Sequence, residues 1–138
     1  MKLHTLLLTP FGRIGRGAFW IGFAIVMVLS LVMNMTPGLV GHLLGFVLLW
    51  PQVCIHAKRL HDMGRTAWWM LVPAIVLVVC GVASYALVFS ETGGGSPASV
   101  APLAVAVVCA VGFLLWVGLT PGSTQTNRFG PAFVGAGG

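Results

Sequence analysis

Charged residues are scarce in this sequence. Of its 138 residues, 7 are Lys or Arg and 2 are Asp or Glu, so that 7% are charged and 58% are hydrophobic. A soluble domain carries about 25% charged residues, and this chain has too few to cover a surface that faces water. The scarcity excludes an ordinary soluble class and favours a membrane protein. The mean hydropathy of +1.02 agrees with this assignment.

Acidic residues are the rarest, because Asp62 and Glu91 are the only two. The formal net charge is +5, but no basic stripe with interleaved aromatic residues is present, so nucleic acid is not an expected partner. Anionic membrane lipids are the simpler partner for cations that flank apolar segments. A coupled carrier usually keeps an ionisable group inside its spans. Since both acids lie at the ends of spans, coupled transport by this chain alone is disfavoured.

Cysteine is also sparse, and its number is odd. The three cysteines each lie in an apolar run, at Cys54, Cys80 and Cys109. We therefore expect no disulfide framework. A zinc site takes about four ligands. Cys54 and His61 could supply two, and the only further candidates are His56 and His4. We therefore predict no metal and no cofactor. No nucleophile accompanies His61, so no catalytic residue is predicted and a lipid-modifying enzyme is disfavoured.

Long charge-free stretches dominate instead. A spanning helix needs about 20 apolar residues. Residues 17–57 contain no charged side chain and would be about 60 Å long as one helix, so they must fold into a hairpin at the turn-forming residues 34–38. We predict an all-α membrane protein, a single domain over residues 1–138. Its four transmembrane helices are expected at about residues 18–35, 39–56, 67–89 and 99–119.

The positive charges predict the orientation of these helices, because cytoplasmic loops carry an excess of Lys and Arg. All seven cations fall in the N-terminal flank, the loop between the second and third spans, and the C-terminal tail. The two opposite loops have none. Both termini are therefore expected in the cytoplasm, with the protein multi-pass in a bacterial inner membrane. The residues before Pro10 are expected to be a retained interfacial segment rather than a signal peptide.

Two features of the second span concern packing. Trp50 lies about two turns inside the span, and we expect it to pack between helices. Gly41 and Gly45 form a small-xxx-small pair that permits close helix approach. Internal packing and a homo-oligomer interface are both open interpretations of this pair.

Polar residues concentrate at the predicted cytoplasmic ends, in three blocks at residues 11–16, 59–65 and 127–131. Four short helices should bring these ends close together. Asp62 is spaced along a helix to pair with Lys58, Arg59 or Arg65, and Gly64 is suited to end that helix. The candidate site contains Arg13, Arg16, Arg59, His61, Asp62, Arg65, Asn127 and Arg128.

Two interpretations of this cluster are open. Polar groups at helix ends often satisfy caps and charges. Asp62 would then pair with arginines of the first and last blocks, and the cluster would only tie helix ends together in a structural or partner-interaction protein. Clustered arginines also suit phosphate, because the guanidinium fork holds two oxygens at once. The cluster would then bind an anionic lipid headgroup or a phosphate-bearing ligand, which its net positive charge favours.

Taken together and in order, the three blocks resemble the family of small bacterial inner-membrane proteins called domain of unknown function 805. They read FGRIGR before Phe19-Trp20, RLHDMGR before Trp68-Trp69, and NRFGP near the end. The resemblance covers nearly the whole chain. It implies a four-helix integral membrane protein and no particular activity. The sequence departs from the usual pattern at Phe129, where the family commonly has Tyr.

Overall fold

The computed structural model of the chain describes residues 3–36, 38–90 and 97–132. The helices in these ranges are α1 (Leu3–Leu8), α2 (Arg16–Asn34), α3 (Leu39–Asp62), α4 (Leu71–Ser90) and α5 (Pro97–Leu119), with a 3-10 turn over Ala67–Met70. The described residues form no β-sheet, and their isolated β-bridge joins Asn127 to Gly130. Glu91, which the sequence places in the loop after the third span, lies outside the described residues.

Four helical stretches are long and apolar enough to cross a membrane. They are Arg16–Asn34, Leu39–Asp62, Ala67–Ser90 and Ala98–Leu119. The prediction of an all-α chain with four such helices is confirmed. The largest difference in bounds is at α3, which continues to Asp62 instead of ending near residue 56. The last turn of α3 stays helical because its charged side chains are buried against other protein groups.

α3 ends in a Schellman cap. The amide of Gly64 donates to the carbonyl of His61 at 3.0 Å, and the amide of Arg65 donates to the carbonyl of Leu60 at 2.8 Å. Gly64 has a φ of 74°, in the left-handed region that glycine enters without steric cost. The prediction that Gly64 ends this helix is confirmed, and the cap leaves Asp62 in the last helical turn.

The described residues form two compact units. One contains the chain up to Ala67 and from Val117 onward, and the other contains Trp68–Trp116. In the first unit, α2 packs along α3 and α1 packs against α3. Its buried core includes Ile14, Phe19, Val26, Ile55, Leu60 and Val117. This unit also holds the candidate site.

The second unit consists of the 3-10 turn, α4 and most of α5. The indole rings of Trp69 and Trp116 lie 5.7 Å apart within it. Large apolar side chains are exposed along both helices, among them Ile75, Val78 and Val108. Exposed apolar surface of this extent is unfavourable in water, which agrees with the hydropathy of these helices.

Trp50 does not pack between helices, so that prediction is wrong. Its side chain is 53% exposed, and its indole Nε1 donates to the carbonyl oxygen of Leu8 at 3.1 Å. The reason is the position of α1, which the sequence did not indicate. Leu6 of α1 is buried, and Trp50 reaches over to the last residue of α1.

Gly41 is buried against the turn that joins α2 to α3. A Cβ atom at Gly41 would collide with the carbonyl oxygen of Thr36 and would lie 2.9 Å from that of Met33. A Cβ atom at Gly45 would meet no described atom within 4 Å. Gly41 therefore serves packing inside the chain. A homo-oligomer interface through the Gly41 and Gly45 face stays a prediction.

Candidate functional site

Asp62 is the centre of the polar cluster, and it is the one acidic residue in the ranges that the structure describes. It lies in the last turn of α3 and is 4% exposed. Its Oδ1 accepts a hydrogen bond from Arg13 Nε at 3.1 Å, and its Oδ2 accepts one from Arg59 Nη1. A single carboxylate therefore bridges two guanidinium groups from different parts of the chain.

Arg59 is fully buried, with a side-chain exposure of 0%. Its Nε donates to the carbonyl of Val117 at 3.0 Å, and its Nη1 donates to the carbonyl of Ile14 at 3.3 Å. Its Nη2 donates to the carbonyl of Thr120. Arg59 thereby joins α3 to the segment before α2 and to the end of α5.

Arg13 lies in the extended segment between α1 and α2, and it binds the chain after α5. Its Nη1 donates to the carbonyls of Gln125 at 2.8 Å and Gly130 at 3.3 Å. Its Nη2 donates to the carbonyl and, at 2.9 Å, to the hydroxyl of Ser123. The Ser123 amide in turn donates to the backbone carbonyl of Asp62 at 2.8 Å. Arg13 and Asp62 together hold this segment against the end of α3.

Asn127 fastens the same segment further along. Its Nδ2 donates to the carbonyl of His61 at 2.9 Å, and its Oδ1 accepts from the amide of Phe129 at 2.9 Å. Backbone hydrogen bonds of 3.1 and 3.0 Å join Asn127 and Gly130 in both directions. The NRFGP block is therefore a tight turn whose first residue is bound to α3.

His61 and Arg128 belong to an aromatic stack instead of the carboxylate cluster. The rings of His61 and Phe129 lie 3.9 Å apart and nearly parallel, at 10°. The Arg128 Cζ lies 4.7 Å from the centroid of the Phe129 ring. The prediction that Asp62 pairs with an arginine of the first block is confirmed. Pairing with the last block is wrong for the described residues, because Arg13 and Arg59 already hold both carboxylate oxygens.

Arg16 begins α2 and faces a cavity of about 170 Å³. No hydrogen bond or ion pair joins the Arg16 side chain to another residue within the described ranges. The first turn of α2 contains no acidic residue, and Gly15 before it has no side chain to cap the helix. The cavity is lined by Gly15, Arg16, Arg59, Asp62, Pro121, Gly122, Ser123 and Thr124.

The structure brings six of the eight predicted site residues into contact with Asp62, with His61 or with the cavity. Arg65 is exposed just after α3 and is not one of the two arginines that bind Asp62. Arg128 contacts the Phe129 ring. The six residues are Arg13, Arg16, Arg59, His61, Asp62 and Asn127.

Sequence reasoning missed two important residues. Lys58 is 1% exposed, and its Nζ donates to the carbonyls of Thr5 and, at 3.0 Å, Leu6. Gly122 lies so close to Asp62 that a Cβ atom there would overlap the carboxylate. Pro121-Gly122 indicates only the end of a helix in the sequence, and nothing in the sequence separates Lys58 from a cation exposed in a loop.

A protein-family model described as "Protein of unknown function (DUF805)" matches residues 7–131. The chain belongs to the DUF805 family. The match confirms the family predicted from the three blocks, and all eight candidate residues lie inside it. No curated protein and no solved structure matches the chain.

In this DUF805 protein the arginines near Asp62 are of two kinds. A guanidinium group has five N–H donors, and Arg13 and Arg59 direct theirs at carbonyl oxygens and at Asp62. Arg16, which lines the cavity, has no side-chain hydrogen bond or ion pair to another described residue. Among the described residues, no group of three or more His, Cys, Asp or Glu side chains is arranged to hold a metal ion.

Proposed function

We propose that this DUF805 protein is a structural or partner-interaction protein of the bacterial inner membrane, multi-pass and with both termini in the cytoplasm. Arg13, Arg59, Asp62 and Asn127 form what we call the clasp. Its role is to tie the C-terminal segment to the cytoplasmic ends of α2 and α3. The clasp gives the protein a defined cytoplasmic face without itself taking part in a reaction.

The membrane assignment is supported by the four apolar helices and by the positions of the cations. All seven Lys and Arg residues flank the same ends of these helices in the sequence, as cytoplasmic flanks do. An even number of crossings puts both termini on one side, and the cations make that side the cytoplasm. This orientation puts the clasp at the cytoplasmic membrane surface.

The hydrogen bonding of the buried Arg59 guanidinium is the observation that carries the clasp. Its guanidinium is inaccessible to solvent, and its donors meet three backbone carbonyls and one carboxylate oxygen. A phosphate group would have to displace these acceptors. An arginine used in this way contributes to the fold, because each of its bonds replaces one that water would otherwise make.

Arg16 favours a second candidate function, the binding of an anionic lipid headgroup or another phosphate-bearing ligand. Three guanidinium groups and one carboxylate lie around or beside the cavity, so positive charge is left over. The cavity of about 170 Å³ far exceeds the roughly 10–15 Å³ that one water needs. The proposed anion would bind Arg16, because Arg13 and Arg59 already donate to carbonyl oxygens and to Asp62.

One experiment tests both candidates. We purify the wild type and three variants, Arg59→Ala, Arg16→Ala and the control Arg128→Ala. Unfolding in SDS measures the stability of each protein. Native mass spectrometry of a separate, folded sample detects co-purified lipid. Arg128→Ala removes the same charge from an exposed position away from the cavity. The clasp predicts that Arg59→Ala loses about 3–5 kcal/mol of stability, as expected when one partner of a buried ion pair is removed, while Arg16→Ala stays near wild type.

The lipid measurement separates the two candidates. Loss of anionic lipid from Arg16→Ala, with retention by Arg128→Ala, would support the headgroup site. Equal lipid content in all stable variants would reject it. An Arg59→Ala protein as stable as wild type would reject the clasp. Inorganic phosphate added to delipidated wild type distinguishes a free phosphate ligand from a lipid headgroup.

A further inference from the structure

α1 lies beside the α2 and α3 hairpin and not across its end. The Leu6 side chain is buried, and its Cδ2 lies 3.4 Å from where a Cβ atom on Gly22 would be, next to Ile55. Gly22 is about 9 Å along the helix axis from Arg16, and Ile55 is about 10 Å from Asp62, at 1.5 Å per residue. The inner face of α1 is thus nearly two turns inside both helices.

The last residue of α1 lies towards the middle of α3. The carbonyl of Leu8 accepts its hydrogen bond from Trp50, which is about 18 Å before Asp62 along α3. Arg13 is nevertheless bound to Asp62 at the end of α3. The residues between Leu8 and Arg13 can cover at most about 17 Å when extended, and the long Arg13 side chain supplies the rest of the reach to Asp62 at that end.

Side chains of α3 bind three of the last four carbonyls of α1, and the Thr5 carbonyl among them also accepts from the Thr9 hydroxyl at 2.9 Å. The last four carbonyls of a helix have no partner within it. Lys58 Nζ donates to the carbonyls of Thr5 and Leu6, and Trp50 donates to that of Leu8. Water would serve these groups at an exposed surface, whereas in hydrocarbon each unsatisfied one would cost several kcal/mol.

Lys58 is unusual for a cation near a membrane surface. A lysine at such a position normally extends its ammonium group to water. Here the ammonium is buried on α1 carbonyls. The Lys58 ammonium faces the protein and not the lipid headgroups because it binds carbonyls of α1 and holds α1 in place.

We infer that α1 is a re-entrant helix, inserted into the cytoplasmic leaflet beside α2 and α3 and capped by Lys58 and Trp50. The lipid acyl chains of that leaflet are the partner of its outer face, where Leu8 is 57% exposed. This inference rests on the membrane orientation proposed above, and it replaces a segment that lies flat on the interface.

Cysteine labelling tests the insertion of α1. Leu8→Cys and the control Gln125→Cys, an exposed position in the C-terminal segment, are made in the full chain and treated with a membrane-impermeant maleimide in inside-out vesicles. The wild type is the blank, since its three cysteines lie in candidate membrane spans. We expect Leu8→Cys to react at least about tenfold more slowly than Gln125→Cys, and equally fast after denaturation in SDS.

Removing the cap should release α1. Adding Lys58→Met to Leu8→Cys should raise its labelling towards that of Gln125→Cys, while Arg128→Met should not. Equal labelling of Leu8→Cys and Gln125→Cys without any further substitution would overturn the re-entrant helix. If Gln125→Cys reacts only in right-side-out vesicles, the proposed orientation is refuted, and protection of Leu8→Cys would still support insertion into the other leaflet.

Discussion

At the scale of the residue, Asp62 decides what the polar cluster is. Its two carboxylate oxygens are taken by Arg13 and Arg59, and its backbone carbonyl holds Ser123. Sequence spacing placed three cations within reach of Asp62 along the chain, and of these only Arg59 pairs with it in the structure. The other partner is 49 residues earlier in the chain, at a distance that no helical spacing indicates.

Replacement of Asp62 by Asn keeps the shape of the side chain and removes its charge. Two buried guanidinium groups then face each other without a carboxylate. We expect a loss of about 3–5 kcal/mol, typical of a broken buried ion pair, measured by SDS unfolding in detergent. Thr126→Ala, an exposed change in the neighbouring segment, should stay within about 0.5 kcal/mol of wild type. Wild-type stability of Asp62→Asn would show that the ion pairs do not hold the clasp.

At the scale of the element, the segment after α5 is shaped by contacts with α3 and not by its own secondary structure. Arg13 binds it at three residues, and Asn127 binds it to His61. Gly122 is pressed against Asp62. The clasp therefore requires a residue without a side chain at position 122. This requirement is separate from the helix end that Pro121-Gly122 indicates in the sequence.

Gly122→Ala should disturb the clasp by steric overlap. The new methyl group would occupy the space of the Asp62 carboxylate, and we expect a loss of about 1–3 kcal/mol, typical of overpacking. Gly112→Ala is the matched control, because a Cβ atom there would meet no described atom within 4 Å. Thermal unfolding of both variants makes the comparison. Equal stability of the two would mean that the segment shifts freely away from Asp62.

At the scale of the whole molecule, the distribution of charge predicts the orientation of the chain in a membrane. Seven cations flank one set of predicted helix ends, and none lies in the two opposite loops. In the structure these cations differ in burial and in the groups that they bind. Lys58 and Arg59 are buried on protein groups, whereas Arg65 and Arg128 are exposed.

A reporter fused after Gly138 tests the orientation. Alkaline phosphatase is active only outside the cytoplasm and green fluorescent protein only inside it, so we expect fluorescence and no phosphatase activity at this position. Fusions after Met35 should give the reverse result, because that residue lies in the turn between the first two spans. Phosphatase activity after Gly138 would refute the arrangement with four crossings and cytoplasmic termini.

The sequence was sufficient for the helices, and it named most of the side chains that the structure places around Asp62. Hydropathy and turn residues predicted four helices, and Gly64 predicted the end of α3, because these features depend on neighbours in the chain. The sequence was misleading at Trp50, where depth within a span suggested burial. A short leading segment gives no sign of where it will pack, so the cover that α1 provides to α3 was not predictable.

The sequence by itself determined the family, the four apolar helices and most residues of the polar cluster, since composition, apolar run length and local motifs are properties of the chain alone. Only the tertiary structure decided how each cation is used. Arg13 and Arg59 bind Asp62, Lys58 caps α1, and Arg16 faces the cavity. These roles depend on carbonyl groups that segments far apart in sequence bring within hydrogen-bonding distance, and backbone acceptors carry no residue-specific signal.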